Sequence, residues 1–223
     1  MGVRTEQPPC ILLLGGSFDP VHLGHVALAK SLCDLLHPDQ LRLIPAGQPW
    51  QKSALTATAA QRVAMLELAF ADWRGGEVYI DQQEIRRAER LEVSYTIDTL
   101  QELRQQFGPA ASLNLAMGAD QLLNLSTWWR WRELFTLANL CVAARPGYSL
   151  QALPPEIAEE WQKRTISAQA MRTRAAGGVC LEPNLAMNVS ASQLRTELTQ
   201  HNPTIRLLVP HKVLDYLQLH SIY

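Results

Sequence analysis

Short apolar runs alternate with longer segments of helical periodicity along the whole sequence. The apolar runs show no in/out alternation of side chains, which is typical of strands covered on both faces of a parallel sheet. Repeated strand–helix–strand order predicts an α/β fold, a doubly wound parallel sheet with right-handed crossovers. The predicted strands are Ile11–Leu14, Leu41–Ile44, Val78–Ile80, Leu113–Met117, Leu140–Ala144 and Val179–Leu181, and the predicted helices are Val26–Leu36, Thr58–Ala71, Tyr95–Phe107, Leu122–Phe135 and Val209–Leu219.

Two segments interrupt this alternation. Pro45 to Thr58 is polar and carries Pro, Gly and Gln, so we expect a loop after a strand end. Pro146 to Pro155 is rich in turn residues, and a polar helix is expected to follow it through Arg174. We found no internal repeat and no low-complexity segment. The sequence therefore predicts a single domain over 1–223, with a small C-terminal helical part over about 186–223.

The composition narrows the classes of partner. Hydrophobic residues make up 47% of the 223 residues, and Lys+Arg 20 against Asp+Glu 21 gives a formal charge of −1. Such a balance offers no broad cationic surface, so a nucleic-acid polymer or an anionic membrane is not expected as the main partner. The N-terminal apolar run, Cys10–Leu14, is too short for a signal peptide or a membrane span, which favours a cytoplasmic protein. Four dispersed cysteines form no zinc or disulfide pattern and are expected to be buried apolar residues.

A motif of glycines and histidines, Gly15–His25, follows the first predicted strand directly. Gly15 and Gly16 permit a sharp turn and a close approach of the backbone to a ligand. His22 and His25 lie three positions apart, so on the first turn of a helix they point to the same side. Free amides at a helix N-terminus together with two imidazoles indicate a phosphate site. The motif is neither G-x-x-x-x-G-K-[ST] nor G-x-G-x-x-G, which excludes the P-loop and the dinucleotide-binding loop.

A second motif, Asn188–Arg195, lies near the end of the chain. Ser190 with Gln193 forms a capping box that needs no function beyond starting a helix. Arg195, one turn into that helix, nevertheless makes the helix start suitable for an anion. We therefore expect this second helix start to complement the first in binding phosphate.

Together the two motifs resemble those of the H-x-G-H nucleotidyltransferases. The resemblance implies a Rossmann-like nucleotidyltransferase fold in which His22, His25 and Arg195 are the catalytic residues. It also implies Mg²⁺ bound mainly through the phosphates of ATP, and no metal site made by the protein itself. By the same resemblance the ATP-binding residues are Gly15, Gly16, Ser17, Phe18, His22, His25, Gly118, Asp120, Ser190, Ser192 and Arg195.

The segments between the motifs resemble those of the bacterial nicotinate-nucleotide adenylyltransferases. They are Ile44-Pro45 with the Pro49–Lys52 loop, Ser94-Tyr95-Thr96 with Asp98-Thr99-Leu100, Gly118–Leu123 with Thr127-Trp128, and Arg145–Tyr148. The implied activity is transfer of AMP from ATP to nicotinate mononucleotide, giving deamido-NAD and pyrophosphate. The implied mononucleotide-binding residues are Lys52, Tyr95, Thr96, Trp128 and Arg145.

Within that resemblance, Trp128 would stack on the pyridine ring, and the backbone at Tyr95 and Thr96 would donate to its carboxylate. Trp129 and Trp131 are expected to be packing residues in the same helix as Trp128. Asp19 is expected to order the glycine loop, and Asp120 would bind ribose hydroxyls or cap a helix. Gln51 departs from the family, which usually has His at this position.

Three alternatives remain at this point. One is another enzyme of the superfamily, such as a cytidylyltransferase. The second is a non-catalytic nucleotide sensor, and the third is an enzyme that prefers nicotinamide mononucleotide or a related hydrolase. ATP and nicotinate mononucleotide are the expected partners, and a homo-oligomer is left open.

Overall fold

The computed structural model describes residues 7–47, 55–144, 148–185, 189, 191–200 and 203–223. Within them, six strands form one parallel sheet in the order β3-β2-β1-β4-β5-β6. The predicted α/β class and all six predicted strands are therefore confirmed, with ends that differ by at most two residues. The strands are β1 Cys10–Gly16, β2 Gln40–Pro45, β3 Glu77–Ile80, β4 Ser112–Gly118, β5 Asn139–Ala143 and β6 Val179–Glu182.

Helices cover both faces of this sheet. Residues of β1 alternate between two apolar clusters: Leu12 and Leu14 face the cluster that includes α1, α2 and α10, whereas Ile11 and Leu13 face the cluster that includes α4. Because both faces are covered, the inner strands β2, β1, β4 and β5 are almost entirely buried, which explains their largely apolar sequences. The helices are α1 Leu23–Leu36, α2 Ala59–Phe70, α3 Gln83–Glu89, α4 Thr96–Phe107, α5 Ala119–Leu123, α6 Leu134–Leu137, α7 Pro155–Arg164, α8 Ala168–Thr173, α9 Ala191–Thr199 and α10 His211–Leu219.

The predicted helix Leu122–Phe135 is wrong. In its place lie the short α5 and α6, with two 3₁₀ turns between them, Leu125–Thr127 and Trp131–Glu133. Polar side chains at the break bond to nearby backbone: Asn124 Nδ2 donates to the Asp120 carbonyl at 2.9 Å, and Thr127 Oγ1 donates to the Asn124 carbonyl at 2.8 Å. These local bonds compete with the helical pattern and end α5 early.

Two further differences concern helices. The polar helix expected through Arg174 is two helices, α7 and α8, and the second begins where Ser167 accepts a hydrogen bond from the Ala170 amide. Helix α3, Gln83–Glu89, was not predicted, because its sequence has little apolar periodicity. All four cysteines are free and buried, as expected. None of the helices in the described part of the chain is long and apolar enough to cross a membrane.

Candidate active site

The candidate site lies where β1 and β4 end side by side. From β1 the chain continues to β2 on one side, and β4 leads to β5 on the other, so the direction of the sheet changes between them. Crevices at such a point, outside the carboxyl ends of the strands, are the usual ligand sites of open α/β sheets. A cavity opens here, and it brings together Gly15, Gly16, Ser17, Ile44, Ala46, Glu84, Ser94, Tyr95, Thr96, Thr99, Leu100, Leu115, Ala116, Gln121, Trp128 and Trp129.

The glycine end of β1 leaves room for a ligand. A Cβ built on Gly15 would have no atom within 4 Å, so the backbone there faces open space. Ser17 also lines the cavity, whereas the ring of Phe18 is buried and packs edge-on against His25 with 4.8 Å between ring centroids. Phe18 therefore supports the loop from below and does not face the cavity.

The two histidines lie together at the start of α1. His22 is the N-cap residue of the helix, and His25 occupies its third position. Their rings stack with 3.7 Å between centroids and 22° between planes, so the predicted common side is confirmed. The His22 amide donates to His25 Nδ1 at 3.2 Å. A neutral His25 ring that accepts at Nδ1 carries its proton on Nε2, which makes that atom a donor for an anion.

The Asp19 carboxylate holds the loop between the glycines and the histidines. Its two oxygens accept the amides of Thr56 and Ala57, each at 2.9 Å, and Oδ1 also accepts the Tyr223 hydroxyl. Burial, and then this bond to Asp19, raises the pKa of the Tyr223 hydroxyl. Because the carboxylate is only 1% exposed and faces these donors, it orders the loop, as expected for a turn-forming residue.

Arg195 reaches the same loop from α9. Its Nη1 donates to the Asp19 carbonyl oxygen at 2.7 Å and lies 3.9 Å from the Asp19 carboxylate. The start of α1 also lies against the second motif, since a Cβ on Gly24 would lie 3.3 Å from Val189 Cβ. His22, His25 and Arg195 are thus brought to one loop from opposite ends of the chain. Ser190 lies outside the described residues, and Ser192 lies in α9 but its side chain is outside them.

Three of the predicted nicotinate-binding residues, Tyr95, Thr96 and Trp128, line the cavity together. Tyr95 is the N-cap residue of α4, and its amide donates to Asp98 Oδ2 at 3.1 Å. The amides of Thr96 and Ile97, the first two positions of the helix, have no carbonyl one turn earlier to bind within it. Of these two residues, Thr96 lines the cavity, so its amide is a donor available to a ligand, whereas Ile97 is buried and does not line the cavity.

The three tryptophans differ in their surroundings. Trp128 has an extended backbone and a half-buried side chain. It lines the cavity and also packs against the apolar core. Trp131 is 7% exposed, so its predicted packing role is confirmed. Trp129 was expected to pack and does not: its side chain is 58% exposed at the rim of the cavity, where its ring lies 5.8 Å from that of Tyr95. The break after α5 places it there.

The remaining predicted residues fall around or outside the cavity. Gly118 ends β4, and its amide donates to Gln121 Oε1 at 3.0 Å. Gln121 lines the cavity, whereas Asp120 is exposed in the first turn of α5 and is not among the lining residues. Lys52 and Arg145 lie outside the described residues. Among the described residues, no group of three or more His, Cys, Asp or Glu side chains could hold a metal ion.

A buried arginine behind the cavity wall was not found by sequence reasoning. Arg87 on α3 is 5% exposed; its Nε donates to Ser94 Oγ at 2.8 Å, and its other nitrogens donate to Thr99 Oγ1 and to Glu102. The Thr99 hydroxyl donates in turn to Glu84 Oε1 at 2.7 Å. Burial raises the pKa of the Glu84 carboxyl, against the opposing effects of the Thr99 hydrogen bond and the Arg87 charge. Nothing in the charged sequence of α3 distinguishes Arg87 from an exposed arginine.

The chain is similar to known proteins in sequence and in fold. The model of the cytidylyltransferase-like family matches residues 13–197. A relative from Herminiimonas arsenicoxydans, named "Probable nicotinate-nucleotide adenylyltransferase", is 48% identical over 217 residues, which are 96% of each chain. A relative of the same name from Chromobacterium violaceum is 43% identical over 95% of this chain and 97% of its own. Among solved structures, nicotinic acid mononucleotide adenylyltransferase of Plasmodium falciparum, complexed with NaAD, has a TM-score of 0.73 at 15% identity and covers 96% of this chain and 97% of its own.

Proposed function

The chain belongs to the cytidylyltransferase-like family and, within it, to the nicotinate-nucleotide adenylyltransferases, and we propose that it joins the AMP part of ATP to nicotinate mononucleotide in NAD biosynthesis. The observation that carries this proposal is the cavity at the β1–β4 switch. One wall of that cavity is the glycine loop, and the other is the start of α4 with Trp128. A nucleotide and a flat heteroaromatic acid can therefore be held side by side.

The reaction needs positioning more than proton transfer. The phosphate of the mononucleotide attacks the α-phosphorus of ATP in line, a new P–O bond forms, and the bond to the β,γ-pyrophosphate breaks. The attacking phosphate is already ionised at neutral pH, so no general base is required. The protein must hold two anions close together and stabilise the charge that develops on the pyrophosphate.

The groups around the glycine loop fit that second task. His22 and His25, at the start of α1, and Arg195, which reaches the same loop from α9, would donate to the triphosphate. Gly15, Gly16, Ser17 and Phe18 would bind ATP where β1 ends and the loop begins. Gly118 and Asp120, at the end of β4, would meet a ribose, and Ser190 and Ser192 would add donors at the start of α9.

The opposite wall fits the mononucleotide. Trp128 would stack on its pyridine ring, and the start of α4 around Tyr95 and Thr96 would bind its carboxylate. Lys52 and Arg145 are proposed for its phosphate from the resemblance alone. Imidazoles, guanidinium and amides are ligands for phosphate oxygens and not for Mg²⁺, so the ion would be carried mainly by ATP, where it neutralises phosphate charge. With ATP as the donor, we place the reaction in the cytoplasm.

The test compares donors and acceptors in one assay. ATP is incubated with nicotinate mononucleotide or with nicotinamide mononucleotide, CTP replaces ATP in a parallel series, and pyrophosphate and dinucleotide are both measured. We expect equal amounts of both products, fastest with ATP and the acid. Faster turnover with the amide or with CTP would assign a sister activity. If every combination gives neither product, the protein is a nucleotide sensor.

A further inference from the structure

Ser94 has a hydroxyl whose hydrogen-bond direction is fixed by its neighbour. Its Oγ accepts the Nε–H of Arg87 at 2.8 Å. A guanidinium can only donate, so the hydroxyl hydrogen of Ser94 must point to another group. Ser94 is half-buried and lines the cavity, and the part of the chain that the structure describes offers this hydrogen no acceptor. The hydroxyl is therefore a donor available to whatever enters the cavity.

Arg87 cannot easily turn away from Ser94. Its side chain is buried, its Nη1 donates to Glu102, and its Nη2 donates to Thr99 Oγ1. Thr99 differs from Ser94 in one respect, because its hydroxyl hydrogen already binds Glu84 Oε1 at 2.7 Å. Of the two hydroxyls that Arg87 binds, Ser94 is thus the one whose hydrogen remains for a ligand.

The neighbours of Ser94 are donors too. The first amide of α4, at Thr96, follows it closely in sequence, and Thr96 lines the same cavity. A carboxylate offers acceptors on both of its oxygens. A carboxamide offers one acceptor, and its NH₂ group would face a donor that it cannot bind. Donors grouped here, beside a Glu84 carboxylate that already accepts the Thr99 hydroxyl at 2.7 Å, therefore discriminate between these two groups.

We propose that the Ser94 hydroxyl is a specificity-determining donor that selects the pyridine carboxylate over the carboxamide, and that Arg87 is the residue that positions it. The inference rests on the proposed function, because it concerns the acceptor substrate of that reaction. It adds a side-chain donor to the backbone amides that the resemblance implies. It also gives the buried Arg87 a role in choosing the substrate.

The test measures kcat/KM with ATP for nicotinate mononucleotide and for nicotinamide mononucleotide in Ser94→Ala. Loss of a hydrogen bond to a charged group should lower the value for the acid about tenfold, with the change mainly in KM. The value for the amide should change much less, so the acid-to-amide ratio falls. Ser94→Thr, which keeps the hydroxyl, should retain most of the ratio. Arg87→Lys, which keeps the charge but has no Nε–H, should lower it.

Ser167→Ala is the matched control, since the Ser167 hydroxyl caps α8 away from the cavity. It should lower the melting temperature and leave the ratio unchanged. Equal losses for acid and amide in Ser94→Ala, or no loss, would overturn the inference. Calorimetry with each mononucleotide alone separates the two proposals. Preferential binding of the acid, lost in Ser94→Ala, would support Ser94 even if no dinucleotide formed, whereas a wild type that binds neither would refute both.

Discussion

The imidazoles of His22 and His25 stack at the start of α1, and a hydrogen bond between the two residues determines which nitrogen of a neutral His25 ring carries the proton. The His22 amide occupies His25 Nδ1, which leaves the Nε2–H of a neutral ring as a donor. A donor aimed at a departing pyrophosphate contributes most when its charge is greatest, in the transition state. We therefore predict that His25→Ala lowers the rate of the chemical step roughly 10²–10³-fold in single-turnover assays, with binding of the mononucleotide nearly unchanged.

His211→Ala is a suitable control, because that imidazole is 88% exposed on α10 and far along the chain from the loop. It should react like the wild type. His22→Ala should resemble His25→Ala, since the two rings are in contact. If both variants react at the wild-type rate, the histidines do not contact the triphosphate.

The positions of single residues could be predicted where those residues belong to a sequence motif. The glycines and histidines of Gly15–His25 could be assigned because their spacing has few structural explanations. Trp129 and Arg87 could not. Trp129 is exposed because helix α5 ends early, where Asn and Thr side chains bond to the local backbone. Arg87 is buried because α4 covers α3. Both are consequences of packing between segments, which a single sequence does not display.

The elements around the site meet at one carboxylate. Asp19, in the loop between β1 and α1, accepts amides just before α2 and the hydroxyl of Tyr223 beyond α10, and its carbonyl accepts Arg195 from α9. From the sequence, Asp19 could be assigned to the loop itself. Its partners at Thr56 and Tyr223 could not be predicted, because they come from segments far away in the chain. The structure therefore makes the loop dependent on three other elements.

We predict that Asp19→Asn weakens the hydrogen bonds that connect the loop to the segments before α2 and after α10. Asparagine offers one acceptor oxygen, and its NH₂ group would face amides or a hydroxyl that are themselves donors. An unmet buried donor should lower the free energy of unfolding by about 1–3 kcal/mol. Because Arg195 and the histidines share the loop, kcat should fall as well. Urea unfolding and steady-state kinetics measure the two effects.

Asp72→Asn provides the matched control. Its carboxylate is 80% exposed and pairs with Lys212 at 2.6 Å, and exposed pairs contribute little to stability. Unfolding and kcat should both remain close to wild type. If Asp19→Asn is as stable and as active as this control, the carboxylate does not hold the loop, and Arg195 must be positioned by other contacts.

The whole sheet was largely predictable because most of its strands are buried on both faces, whereas β3 at the edge is partly exposed. Uniform apolar runs mark such strands directly, and strand–helix alternation gives the parallel arrangement. The order β3-β2-β1-β4-β5-β6 then places the ligand crevice between β1 and β4, where the two glycine-containing strand ends lie. Helix α3 was not predicted because its sequence is mostly polar.

In the part of the chain that the structure describes, many charged side chains form local ion pairs. Cationic side chains lie against acidic ones on several helices, as in Lys163 with Glu159, Arg164 with Glu160, and Arg172 with Asp39. The formal charge of the whole chain is −1. Affinity for a nucleic-acid polymer comes mainly from many cations that release counterions together. Phosphate recognition by this protein should therefore be confined to the cavity.

We accordingly predict that the protein does not bind a DNA duplex at physiological salt with a Kd tighter than roughly 10⁻⁴ M, although it binds ATP. Fluorescence anisotropy of a labelled duplex, with labelled ATP as the positive control, measures this directly. Saturable DNA binding that weakens steeply with added salt would show a cationic surface that the paired charges do not suggest. ATP binding should weaken much less with salt, because it depends on a few donors at one loop and not on a field extending over the whole surface.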